Sequence, residues 1–180
     1  MKLDLVLYPA PILRKPAGPV GPVTDELRET AREMFRIMYE SRGVGLAGPQ
    51  AGIPLRIFVL NVTGKPEDER VFLNPEITAR SGEILDEEGC LSFPGVAAHI
   101  VRAERATVRA TDLEGKEVVL EGEGLLAKAF QHEMDHLEGI LILDRMTPAD
   151  RLAAAARLKE LEKKFAEKAV PAAKALGARR

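Results

Sequence analysis

The sequence predicts an α+β fold in one domain spanning residues 1–180, with small antiparallel sheets packed around a central helix and a further helix at the C-terminus. Three observations predict it. The length of 180 residues matches one domain of roughly 100–200 residues. Strand-like runs follow one another without helices between them, so the βαβ rhythm of a parallel sheet is missing. Helical periodicity is confined to one segment near the N-terminus and two near the C-terminus.

Residues 1–24 are proline-rich and aperiodic, which reads as a surface-following segment with one short helical turn. Thr24 caps the first helix; Asp25 and Glu26 sit in its first turn, and Leu27, Ala31, Met34, Phe35 and Met38 mark one face. Gly43 ends it. Leu55–Leu60 is a strand, Thr63–Glu69 a polar turn, and Val71–Leu73 a short strand. Residues 76–85 and 100–111 alternate as further strands. Asp112–Lys116 is a turn, with Glu117–Glu121 as the returning hairpin arm. Leu125–Leu137 is a helix with apolar residues at 125, 126, 129, 130, 134 and 137. Ile140–Leu143 reads as a short extended run. Thr147 and Pro148 open a last helix that continues to about Val170, before Pro171.

Composition narrows the function classes. Hydrophobic residues at 46% suffice for a sizeable core. The single cysteine, Cys90, excludes a disulfide-stapled secreted scaffold. Asp4, Pro9 and Pro11 interrupt the apolar run that a signal peptide needs. No window approaches the roughly 18 apolar residues of a membrane span. The expected setting is therefore cytoplasmic, without a membrane partner. Formal net charge is −2, yet residues 151–180 carry nine Lys/Arg against three Asp/Glu. A solvated helix face and a polyanionic partner would each account for that basic segment.

The sharpest signal is His132-Glu133-Met134-Asp135-His136. On a helix, positions four apart lie about 40° apart, so both imidazoles face one point. Glu133 sits about 100° round from His132, close enough to act on a water at a metal without being a ligand. Two imidazoles, an open position and a carboxylate are what metal-assisted hydrolysis needs.

A catalytic site of this kind needs a third protein ligand. Position 142 is Ile, so the longer motif that ends in a third histidine fails. Glu160 and Glu162 lie on the basic helix, where Glu160–Lys164 looks like a surface i,i+4 pair. Cys90 is the remaining soft ligand, since the motif lacks one donor and the chain supplies one thiol. Two other readings stay open: a zinc endopeptidase with a downstream third ligand, and a structural Cys-His site closed by His99.

GVGLAGPQ (43–50), EGCLS (88–92) and QHEMDHLEG (131–139) closely resemble the three motifs of the bacterial peptide deformylase family, in the same order and at similar spacing. The likeness covers most of residues 3–146. It implies removal of the formyl group from the formyl-methionine of nascent polypeptides, with release of formate. It also implies one divalent metal ion, natively Fe²⁺ with Zn²⁺, Ni²⁺ or Co²⁺ able to substitute, held by Cys90, His132 and His136. Glu133 becomes general base and then acid, while Gln50 and the backbone N–H of Leu91 stabilise the oxyanion.

That chemistry is sound from the residues upward. A metal lowers the pKa of water, a carboxylate takes its proton, and donors aimed at the developing charge lower the barrier. Gly45 would pair with the extended substrate. Val44, Leu125 and Ala129 are candidates for the methionine slot, and Glu88 with Arg102 for a pair that orients the Cys90 segment. The sequence departs from the family at Gly48, in place of the usual alanine, and should loosen the loop before Gln50. Ala97 stands where bacterial relatives often carry an arginine. A substrate leaving the ribosome would make the basic 151–180 helix a dock for ribosomal RNA.

Overall fold

The computed structural model describes residues 2–177, with side chains through Lys168. Arg179 and Arg180 of the basic segment lie outside the described residues. After an N-terminal segment with one 3₁₀ turn at Pro11–Arg14, the elements run α1 (Asp25–Glu40), β1 (Gly45–Ala47), β2 (Ile57–Leu60), β3 (Arg70–Ser81), β4 (Ile84–Gly89), β5 (Ala97–Arg102), β6 (Arg105–Thr111), β7 (Glu117–Glu123), α2 (Leu125–Leu137), α3 (Ile142–Arg145) and α4 (Pro148–Gly177).

Five strands form one antiparallel sheet in the order β1-β2-β3-β6-β7, and β4 pairs with β5 in a separate hairpin. All four residues of β2 are buried. Alternation sends Ile57 and Val59 towards α1 and Phe58 and Leu60 towards α2, so the sheet is a middle layer between two helices. On the α2 side, Phe72 lies between Phe58 and Phe130, with ring centroids 4.7 and 5.6 Å apart. A third cluster joins the N-terminal segment, the β4–β5 hairpin and α4 through Leu13, Phe93, Ile100, Leu158 and Leu161. α2 is the element the sheet and hairpin surround.

Thr24 caps α1 as expected, its hydroxyl accepting the Leu27 N–H at 3.2 Å. The other end differs by one residue. α1 closes with the N–H of Arg42 on Tyr39 O and that of Gly43 on Met38 O, a Schellman pair, and Arg42 takes the left-handed φ of 58°. Glycine is kept one position later, where a Cβ would stand 2.5 Å from the Leu91 side chain.

Three further expectations need correction. The separate strands near 71–73 and 76–85 are one strand, β3, as far as Ser81, interrupted by a bulge after Leu73, where Asn74 takes a φ of 48°. The extended run at 140–143 gives way to α3, because the Asp144 carboxylate accepts the Leu141 N–H at 2.8 Å and closes a helical turn. α4 does not stop before Pro171; a proline interrupts one intrahelical bond, and the helix passes through to Gly177.

Gly48 is buried rather than loosely held, and a Cβ there would lie 2.6 Å from Leu55 O and 2.8 Å from Ile53 O. Gly48→Ala should therefore lower stability by about 1–3 kcal/mol. Gly21→Ala, which meets open space, should shift it by no more than about 0.5 kcal/mol. Thermal unfolding of the two variants checks this.

Candidate metal centre and cleft

α2 presents His132 and His136 on one face, and the hairpin delivers Cys90 to meet them. β4 ends at Gly89, and the N–H of Phe93 closes a turn on Cys90 O at 2.9 Å. His132 Nε2 and His136 Nε2 are 3.3 Å apart, with Cys90 Sγ 3.2 Å from His136 Nε2. The three ligand atoms lie within 4.8 Å of one another.

These donors fit a metal ion. Two nitrogens bonded at about 2.0–2.1 Å to a tetrahedral ion stand about 3.3 Å from each other. The surrounding groups favour positive charge on one imidazole over the other. Burial opposes charge on His132 but is outweighed by Cys90, Glu88 and Glu133, which raise its pKa well above the usual value. Burial and the charge of His132 lower that of His136.

His132 is held from behind. Its Nδ1 donates to Glu88 Oε2 at 3.0 Å. Both Glu88 oxygens also accept from Arg102, at 2.8 and 3.0 Å. Burial pushes the Glu88 carboxyl up, but the His132 and Arg102 bonds outweigh it and bring it down to about 2. His136 has no such support, and its Nδ1 is buried without a partner.

Glu133 points to the other side, with its Oε2 buried and unpartnered. Burial is the main cause that raises its pKa to about 7. A Cβ on Gly45 would lie 2.5 Å from Glu133 Oε1, so glycine is what lets this carboxyl reach the cleft. Gln50 is 1% exposed. Its Oε1 accepts the Ala47 N–H at 2.8 Å, which directs its NH₂ towards Cys90 Sγ at 3.6 Å and Ser92 Oγ at 3.3 Å.

The cleft above these groups has a volume of about 410 Å³. Val44, Gly45, Gln50, Glu88, Leu91, Leu125 and Ala129 all line it, together with Cys90, His132 and Glu133. Leu91 sits at the corner of the Cys90 turn, and its N–H takes no part in the bond that closes the turn. Arg102 lies behind the site rather than in the cleft. His99 faces Asp150 on α4 at 3.6 Å and stands apart from the cluster. Glu160 pairs with Lys164 and Arg157, while Glu162 accepts from Tyr8. Among the described residues, neither the fourth ligand of a closed structural site nor the downstream ligand of an endopeptidase is therefore in place.

A family model described as polypeptide deformylase matches residues 2–152. The chain belongs to the polypeptide deformylase family. A peptide deformylase of Acidobacterium capsulatum is 44% identical over 161 residues, covering 88% of this chain and 95% of that protein. One from Clostridium perfringens is 49% identical over 133 residues, covering 74% and 90%. The crystal structure of a Legionella pneumophila peptide deformylase superposes with a TM-score of 0.86 at 42% identity, covering 92% of this chain and 98% of the other.

Two polar residues of this deformylase centre escaped the sequence reading. Ser92 accepts from Gln50 and donates to Val6 O at 2.8 Å, tying the N-terminal segment to the site. Asp135 binds Arg102 at 2.7 Å. Ser92 stands inside the EGCLS motif and Asp135 between the histidines, but neither position carries a signal of its partner.

The Glu88 carboxyl is lowered in the fold, so its stabilising effect is complete above its ordinary pKa of 4.5 and is lost as pH falls towards about 2. Metal-free wild type should thus be more stable than Glu88→Gln at neutral pH, by about 3–5 kcal/mol where the buried Arg102 is left poorly paired. The gap should close between about pH 4.5 and pH 2. Denaturant unfolding across that range measures it.

Proposed function

We propose that this deformylase hydrolyses the N-formyl group of formyl-methionyl nascent polypeptides and releases formate. The observation that carries the proposal is the convergence of Cys90, His132 and His136 beside a buried carboxyl, Glu133, at the floor of a half-apolar cleft. A thiolate with two imidazoles suits Fe²⁺, Zn²⁺, Co²⁺ or Ni²⁺, and Fe²⁺ is the native ion in this reading. Held there, the ion supplies a Lewis acid that polarises a carbonyl and makes water acidic near neutral pH.

The chain's own residues do the rest. β1 is the end strand of its sheet, so its free edge at Gly45 can pair with an extended peptide. Val44, Leu125 and Ala129 offer the methionine side chain an apolar wall. Glu133, with a pKa near 7, takes a proton from the attacking water as oxygen bonds to the formyl carbon. Gln50 Nε2 and the Leu91 N–H donate to the oxyanion. As the C–N bond breaks, Glu133 returns the proton to the leaving amine.

The wider setting follows from the substrate. A formylated nascent chain would be met in the cytoplasm beside the ribosome, with the basic segment 151–180 as the contact for RNA phosphates. Among the described residues no helix is long and apolar enough to cross a membrane.

Formyl-Met peptide should release formate and the same peptide without the formyl group should remain intact, with activity lost to a chelator and restored by Fe²⁺. Internal cleavage would overturn the proposal. Glu133→Gln should keep its metal and lose turnover. Gln50→Leu should lower kcat by about 10²–10³. Steady-state kinetics with metal analysis checks both variants.

A further inference from the structure

Behind the metal helix, on the side away from the cleft, two Arg–carboxylate pairs are joined end to end. Arg102, 5% exposed, holds both oxygens of Glu88, and its third nitrogen donates to Asp135 Oδ2 at 2.7 Å. Asp135 is in turn held by Arg145, whose Nε reaches Oδ2 at 3.1 Å and whose second nitrogen reaches Oδ1 at 2.6 Å. The series of contacts therefore runs Arg145–Asp135–Arg102–Glu88–His132.

We infer that Arg145 of α3 is a positioning residue for the metal centre, acting through this series on His132 and on the strand that carries Cys90. The inference rests on the ligand reading given above. Two features support it beyond the distances. First, the charges alternate and balance, two guanidinium groups against two carboxylates. Without Arg145 the buried Arg102 alone would hold both carboxylates, and Asp135 would be free to turn towards water. Second, the series crosses three structural units. It starts on α3, passes through Asp135 on α2 and both strands of the β4–β5 hairpin, where Glu88 stands two residues before Cys90, and returns to α2 at His132. The two sides of the metal site come from α2 and from that hairpin, so a clamp between them sets their separation.

Arg145 touches neither the cleft nor any ligand. Its effect should appear in metal retention and turnover, not in substrate affinity. Groups that support metal ligands from outside change metal affinity by about 10–100-fold when lost. Arg145 stands further out, so about tenfold is the expected scale.

The test compares Arg145→Ala with Arg14→Ala. Arg14 pairs with Asp144, the neighbouring residue of α3, so its loss loosens the same helix without touching Asp135. Full-length protein is loaded with Zn²⁺ for release to a chromogenic chelator, and with Co²⁺ for its visible absorption spectrum. Arg145→Ala should release Zn²⁺ about tenfold faster, alter the Co²⁺ bands, and lower kcat with KM unchanged, while Arg14→Ala stays within twofold of wild type. Equal effects of the two variants would overturn the inference, because α3 would then matter only as packing. An Arg145→Ala variant that matches wild type in release and spectrum would overturn it as well. Failure of wild type itself to retain Zn²⁺ or Co²⁺ would instead overturn the ligand reading, and the inference with it.

Discussion

Glu88 is an anion in the interior, and the site is built around keeping it there. A carboxylate taken out of water costs several kcal/mol unless charged hydrogen bonds replace its solvent. Arg102 supplies two and His132 a third. That single requirement fixes three things together: the tautomer of His132, the seating of the hairpin on α2, and hence the place where Cys90 emerges. A metal ligand set from two remote chain segments is otherwise hard to hold, because neither segment can sense the other's position without contact. The Glu88 bonds provide that contact next to the ligands themselves.

The cleft is shaped by what is left out as much as by what lines it. Gly43 leaves room for the Leu91 side chain and Gly45 for the Glu133 carboxyl. Gly43 lies in the short link after α1 and Gly45 opens β1. The Glu133 carboxyl therefore packs against backbone, with no side chain between it and the β1 edge. Its dryness and its raised pKa have the same origin, since a carboxyl so enclosed has lost the water that would keep it ionised. Gln50 complements it: the Ala47 N–H fixes which end of the amide faces the thiol.

Much of this was legible in the sequence, and the parts that were not share a cause. The α2 helix could be read residue for residue because two histidines at i and i+4 and an apolar stripe follow one period. Cys90 was legible by subtraction, in a chain with one thiol and a motif short of one donor. Asp135 looks like any solvent-facing residue of a helix, because its partners Arg102 and Arg145 are 33 and 10 residues away and no local pattern announces them. α3 has no signature in the sequence because the four apolar residues 140–143 carry no period; the cap that makes it helical is a side chain just beyond them. β3 passes through Asn74-Pro75 as a bulge, which the separate runs at 71–73 and 76–85 do not announce. Periodicity is local, while bulges, caps and ion-pair chains are settled by neighbours that arrive from elsewhere.

The end of α1 has a consequence for how this sequence can vary. Arg42, Gly43, Val44 and Gly45 are consecutive, and each has a different neighbour to satisfy: the helix terminus, Leu91, the cleft wall and Glu133. Links between helices and strands ordinarily tolerate insertions and deletions. Here a change in length by one residue would place a Cβ against the carboxyl and at the same time move the left-handed turn off Arg42. The side chains at 42 and 44 are exposed, but the spacing of the segment is not free. In a lineage of such proteins, length variation should collect in the β3–β4 and β6–β7 turns and stay out of this link.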